Sequence, residues 1–231
     1  MRVLVTDPIA DAGIELLREA GHEVETGYDL AGDDLLDALG DVNALIVRSG
    51  TEVTEEVFAA APDLVIVGRA GIGVDNIDID AATDHGVIVA NAPEGNVRAA
   101  SEHTVAMTFA TARSIPQAHI RLTEGEWAKG DFLGTEVNDK TLGVVGFGRV
   151  GQEVAKRLGN LGVDLVAFDP YISEDRAAQL GAELVDDLDV LLDRADFVTI
   201  HTPLTSETAN MIGEEELAQL EGGYVINCAR G

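Results

Sequence analysis

Residues 141–170 read TLGVVGFGRVGQEVAKRLGNLGVDLVAFDP. An apolar, strand-like run, LGVV, enters a glycine-rich turn, Gly146-Phe147-Gly148-Arg149-Val150-Gly151, and QEVAKRL then continues at helical spacing. Gly146 allows the tight turn, Gly148 lets the backbone approach a diphosphate, and Gly151 permits close packing of helix on sheet. The helix N-terminus offers free N–H groups and a partial positive charge at the same place. A second apolar run, DLVAF, ends in Asp169, 23 residues after Gly146. A carboxylate about 20 residues downstream is placed to accept hydrogen bonds from ribose hydroxyls and to repel a 2′-phosphate, so NAD is expected over NADP. Taken alone, the loop is shared with flavin and nucleotide-sugar users.

The same alternation extends in both directions. Upstream, VLVT (3–6), HEVET (22–26), ALIVRS (44–49), LVIVGRAG (64–71) and VIVANAP (87–93) are separated by helix-like segments. Downstream of the loop come AELV (182–185), ADFVTIHTP (195–203) and GYVINCAR (223–230). Strand alternating with helix predicts an α/β protein with two doubly wound parallel sheets covered on both faces. The lobes are expected at 1–93 and 97–231. Between them a long helix is predicted over 97–121, with Val105, Met107, Phe109 and Ala110 as its apolar face and Pro116 near its end. The irregular stretch LTEGEWAKGDFLGTEVNDK (122–140) holds the sole tryptophan, Trp127, and reads as either an arm between subunits or a surface loop.

Composition narrows the partners. Forty-two acidic against 15 basic residues give a formal net charge of −27, a field that repels nucleic acid and anionic membranes. Hydrophobic residues at 46% place this acidity on a folded chain, as on a surface that needs salt for screening. The single cysteine, Cys228, excludes an internal disulfide, and no apolar run has the length of a membrane span, so a cytoplasmic location is expected. The five histidines show no metal-ligand spacing, and no metal site is expected.

With so few cations, their positions carry information. Arg48, Arg69 and Arg230 each follow a strand-like run, and ligands of open α/β sheets gather at the carboxyl ends of strands. Two from the first lobe and one from the second point to a cleft for an anionic substrate, since guanidinium groups suit carboxylates and phosphates. His201, followed by Thr202 and Pro203, also ends a strand and reads as a residue shaping the cofactor site.

GRAGIGVDNIDIDAAT (68–83), GVVGFGRVGQEVAKRL (143–158), HTPLTSET (201–208) and VINCARG (225–231) together resemble the D-2-hydroxyacid dehydrogenase family over the whole chain. The resemblance implies a flavodoxin-like lid domain, a Rossmann NAD domain, a small anionic 2-hydroxy acid as substrate, and a homodimer or higher homo-oligomer formed through the helix and arm of the second domain. It implies cofactor contacts from Gly148, Arg149, Val150 and Asp169, with Thr202, Pro203 and Cys228 toward the nicotinamide. Arg48, Ser49, Arg69 and Gly71 correspond to substrate-anion contacts, and Arg230 to the arginine that holds the substrate carboxylate. The glutamate and histidine that complete the family's catalytic set have no counterpart up to Gly231. The sequence is therefore expected to be a truncated member with an incomplete second domain; a non-catalytic NAD-binding module is the rival reading.

Overall fold

The computed structural model describes residues 1–230. The chain forms two compact units, Met1–Asn96 and Val97–Gly231, each with one parallel five-stranded sheet.

The first unit runs β1 (Arg2–Val5), α1 (Asp11–Glu19), β2 (Glu23–Thr26), α2 (Asp33–Asp37), β3 (Ala44–Val47), α3 (Glu55–Ala60), β4 (Ile66–Arg69), α4 (Ile79–Asp84) and β5 (Ile88–Asn91). Its strand order is β2-β1-β3-β4-β5, the flavodoxin-like order, and every pair is parallel. Strand alternation sends Leu4, Leu45, Val47 and Val67 into a core with Leu35, Leu39, Val57 and Phe58 from the α2 and α3 regions. Val3, Val5 and Ala44 face the other way, toward Ile9, Leu17 and Val24. Both faces carry helices, as expected, and Ile88 of the edge strand β5, on the face covered by α1, is exposed because α1 packs beside β2, at the opposite edge.

The second unit begins with α5 (Val97–Ala112) and α6 (Ile115–Thr123), followed by a 3-10 turn at Lys129–Asp131. It continues with β6 (Thr141–Val145), α7 (Arg149–Gly159), β7 (Asp164–Phe168), α8 (Glu174–Ala178), β8 (Ala182–Val185), α9 (Leu188–Arg194), β9 (Phe197–Ile200), α10 (Glu214–Gln219) and β10 (Tyr224–Asn227). The order β10-β9-β6-β7-β8 is the Rossmann order over five strands. Leu142, Val144 and Phe197 pack with Val154 and Leu158 of α7 on one face. Val145, Val166 and Val198 pack with Leu191, Leu192 and Leu220 on the other.

Two local readings are corrected. The helix predicted over 97–121 is two helices: Ser114 adopts a left-handed conformation (φ 49°), which breaks the helix, and Pro116 sits in the first turn of α6, where its missing N–H costs nothing. Of the expected apolar face, Val105 and Phe109 pack half-buried against the core and Met107 is exposed, while the fully buried positions of α5 are Ser101, Thr104, Thr108 and Ala112. Each buried hydroxyl donates to the carbonyl four residues back (Val97, Ala100 and Thr104), so small polar residues pack there without an unpaired group. Trp127 is 81% exposed.

Candidate functional site

In an open parallel sheet, ligands bind beyond the carboxyl ends of the strands where the order reverses. In the second unit that point lies between β6 and β9, whose ends carry the glycine loop and His201-Thr202. Gly146 has φ 87°, and a Cβ there would lie 2.8 Å from both the His201 carbonyl carbon and the Thr202 nitrogen. The β6 turn therefore rests directly on the β9 turn, and His201 N–H also donates to Val145 O at 2.8 Å. A Cβ on Gly151 would strike Gly146 O, which holds α7 close against the loop. Gly148 has open space where its Cβ would be, and no side chain caps the α7 N-terminus there. Arg149 is exposed at the first position of α7, and Val150 is half-buried against the core.

Asp169 ends β7 as expected and has a further task. Its Oδ2 accepts from Phe147 N–H at 2.7 Å and its Oδ1 from Tyr171 N–H at 2.9 Å. Gln152 Nε2 donates to Phe147 O at 2.7 Å, and Arg176 donates to Gln152 Oε1 at 2.7 Å. The loop is thus clamped at both the N–H and the C=O of Phe147 before any ligand arrives. An uncapped helix start, an open glycine and a carboxylate beside them fit a dinucleotide: diphosphate on the N–H groups, ribose hydroxyls on the remaining lone pairs of Asp169.

His201 is largely buried, and burial pushes its pKa down to about 4, so the ring is neutral near pH 7. Its Nε2 has no hydrogen-bond partner among the described residues. Thr202 Oγ1 points to Met211 Sδ at 3.9 Å, and Pro203 is exposed, its carbonyl accepting from the Thr208 hydroxyl. Cys228 is half-buried against the core. After β10, Asn227 Oδ1 accepts from Ala229 N–H at 2.9 Å and its Nδ2 donates to Arg230 O at 2.9 Å, which fixes the turn that carries the half-buried Arg230.

In the first unit the order reverses between β1 and β3. Arg48 and Ser49 lie exposed just past β3. The buried Asp7, just past β1, accepts from Arg48 N–H at 2.6 Å and Thr51 N–H at 3.1 Å through Oδ2. Asn76 Nδ2 donates to Arg48 O at 2.7 Å and Thr51 O at 2.6 Å. Arg69, the last residue of β4, is buried, and its guanidinium lies where a Gly71 side chain would be, so Gly71 is there to make room for it. The Gly71 N–H donates to Arg69 O at 2.8 Å. Sequence reasoning missed Asp7, Asn76, Gln152 and Asn227; Asp7, in VTDP directly after an apolar run, carried the one available signal.

No helix of the described residues is long and apolar enough to cross a membrane. A polar groove of about 500 Å³ lined by Asp193, Arg194, Asp196 and Glu221 lies at the amino ends of the second sheet's strands, away from these groups.

Residues 105–231 match the D-isomer specific 2-hydroxyacid dehydrogenase NAD binding domain. The chain is 46% identical over 232 residues to D-3-phosphoglycerate dehydrogenase of Methanocaldococcus jannaschii, covering 100% of this chain and 44% of that protein. Among solved structures it is similar to the NAD-bound 3-phosphoglycerate dehydrogenase of Entamoeba histolytica (30% identity, TM-score 0.83, 100% of this chain and 72% of that one). It is likewise similar to the NAD-dependent formate dehydrogenase of Staphylococcus aureus in complex with NAD (31%, TM-score 0.89, 100% and 74%). The chain spans less than half the length of the curated relatives it matches. With a Rossmann-order sheet, a clamped glycine loop and a match to these dehydrogenases along the whole of its own 231 residues, the chain belongs to the D-isomer specific 2-hydroxyacid dehydrogenase family.

Proposed function

We propose that this chain provides the NAD site and the anion-binding arginines for oxidation of D-3-phosphoglycerate to 3-phosphohydroxypyruvate. The observation that carries the proposal is the placement of Arg48, Arg69 and Arg230 at carboxyl ends of strands in a chain with only 15 lysines and arginines. Relatives named D-3-phosphoglycerate dehydrogenase, 46–49% identical, support the choice of acid. Bound NAD would supply the hydride acceptor for C2 of the hydroxy acid. The glycine loop and the α7 N-terminus hold the diphosphate, and Asp169 accepts from the ribose and repels a 2′-phosphate. His201, Thr202, Pro203 and Cys228 shape the nicotinamide side. Arg230 holds the substrate carboxylate and stabilises charge developing on the oxygen, a contribution on the order of 3 kcal/mol. Arg48, Ser49 and Arg69 receive the second anionic group, with Gly71 making room for Arg69. Proton exchange is assigned to no residue of this chain.

A homodimer or higher homo-oligomer belongs to the same proposal, supported by the exposed Ile120, Leu122, Trp127 and Leu133 of α6 and the stretch after it. A cytoplasmic location and a salt-requiring surface complete it, the latter supported by the net charge of −27.

The test is steady-state kinetics of the full-length protein. D-3-phosphoglycerate with NAD is expected to give the highest kcat/KM, and Arg230→Ala to lower it roughly 100-fold while the Kd for NAD changes less than about twofold. Faster turnover of glyoxylate or hydroxypyruvate with NADH would assign another 2-hydroxyacid reductase. Equal activity of Arg230→Ala would remove that residue's role, and NADH binding without turnover of any 2-keto acid would leave a binding module.

A further inference from the structure

A carboxylate at the end of β1 is turned inward, although it sits where ligand-binding groups of such sheets are found. Asp7 is 9% exposed, and burying a carboxylate is unfavourable unless hydrogen bonds compensate. Its Oδ2 takes the N–H groups of Arg48 and Thr51, at 2.6 and 3.1 Å. Its Oδ1 lies where a Cβ of Gly50 would be, so only glycine fits between. The carbonyls of the same two residues are taken by Asn76, at 2.7 and 2.6 Å, and the Thr51 hydroxyl meets that of Thr6 at 2.9 Å. The backbone N–H and C=O groups at both ends of the 48–51 turn, those of Arg48 and Thr51, are thereby satisfied from the inside, while the Arg48 side chain stays exposed.

We infer that Asp7 is a positioning residue for substrate binding: from the end of β1 it fixes the turn after β3, so that Arg48 and Ser49 meet an anionic group of the substrate already ordered. The cost of ordering a loop at binding is then met during folding, and preorganisation of this kind appears in substrate affinity more than in the chemical step. The charge on Asp7 matters because it is acceptor-only: an amide in its place would turn an N–H₂ group either toward two N–H donors or against Gly50. The inference rests on the proposed anion-binding role of Arg48.

The experiment uses the full-length protein with saturating NAD and varied D-3-phosphoglycerate. Asp7→Asn and, independently, Gly50→Ala are each expected to raise KM about tenfold or more while kcat stays within about threefold and the Kd for NADH within about twofold. In an Arg48→Ala background, either change is expected to add less than about twofold, because Asp7 acts through Arg48. Should Asp7→Asn fail to fold, Gly50→Ala presses the same turn off the carboxylate with Asp7 intact and decides alone. A KM within twofold of wild type in both variants, with Arg48→Ala raising it, would overturn the positioning role and leave the anion-binding reading standing. A normal KM in Arg48→Ala would instead overturn that reading and this inference with it. A kcat that collapses in parallel with melting temperature in both variants would make Asp7 a stability residue only and also overturn the proposal.

Discussion

Replacing Asp169 by alanine should destabilise the protein with no cofactor present. A residue whose sole task is to meet ribose hydroxyls would be silent in the apo state. Here Oδ2 accepts from the N–H of Phe147, a residue fully buried behind the glycine loop, at 2.7 Å. Alanine leaves that N–H without its acceptor and also frees the Tyr171 N–H at the next turn. A hydrogen bond to a charged group is worth about 1.5–3 kcal/mol, and an abandoned buried donor costs a similar amount, so about 2 kcal/mol is expected for the pair after water reaches the exposed Tyr171 end. At roughly 2–4 °C per kcal/mol for a chain of this size, the apo melting temperature should fall by about 4–8 °C. Asp169→Asn keeps a carbonyl oxygen for Phe147 and should lose about half as much. The assay is calorimetric or fluorescence melting of apo protein at fixed salt, with NAD and NADP titrations on the same samples. The loosened loop should weaken both cofactors, so removing the repulsive carboxylate should not by itself yield an NADP enzyme. An apo Asp169→Ala variant melting within about 1 °C of wild type would refute the clamp.

Two further expectations concern pH and salt. His201 has a folded-state pKa lowered from 6.5 to about 4 by burial, so the unfolded chain binds the extra proton between those values and stability falls as pH drops through that window. Relative to His201→Gln, wild type should lose about 2 kcal/mol between pH 7 and pH 5 in urea unfolding, and equal losses in the two proteins would show the ring to be accessible in the fold. The net charge of −27 should make melting temperature rise between roughly 0.1 and 2 M KCl as self-repulsion is screened; a flat response would count against a salt-requiring surface.

The parallel sheets could be read from the sequence because their central strands are apolar runs bounded by glycine and charge, and because the spacing from Gly146 to Asp169 requires a strand-turn-helix-strand unit. The α5–α6 region could not be read in the same way. Three of its four fully buried positions are serine or threonine, which hydrophobic periodicity does not register, and the break at Ser114 depends on one backbone dihedral. At the sites, arginines at strand ends stood out in a chain poor in cations. The residues that hold the loops in shape did not, since Asp7, Asn76, Gln152 and Asn227 are ordinary polar residues whose partners lie either within a few residues or from 24 to 44 residues away. The second role of Asp169 was hidden for a related reason: a ribose-binding residue and a loop clamp call for the same side chain at the same position.

The threonine and serine face of α5 constrains how this sequence can drift. Each hydroxyl is satisfied by its own helix, so α7, packed alongside, has no hydrogen bond to return. Substitutions on the facing side of α7 are then filtered by volume alone, and a lineage can exchange one small apolar residue for another there without a matching change in α5.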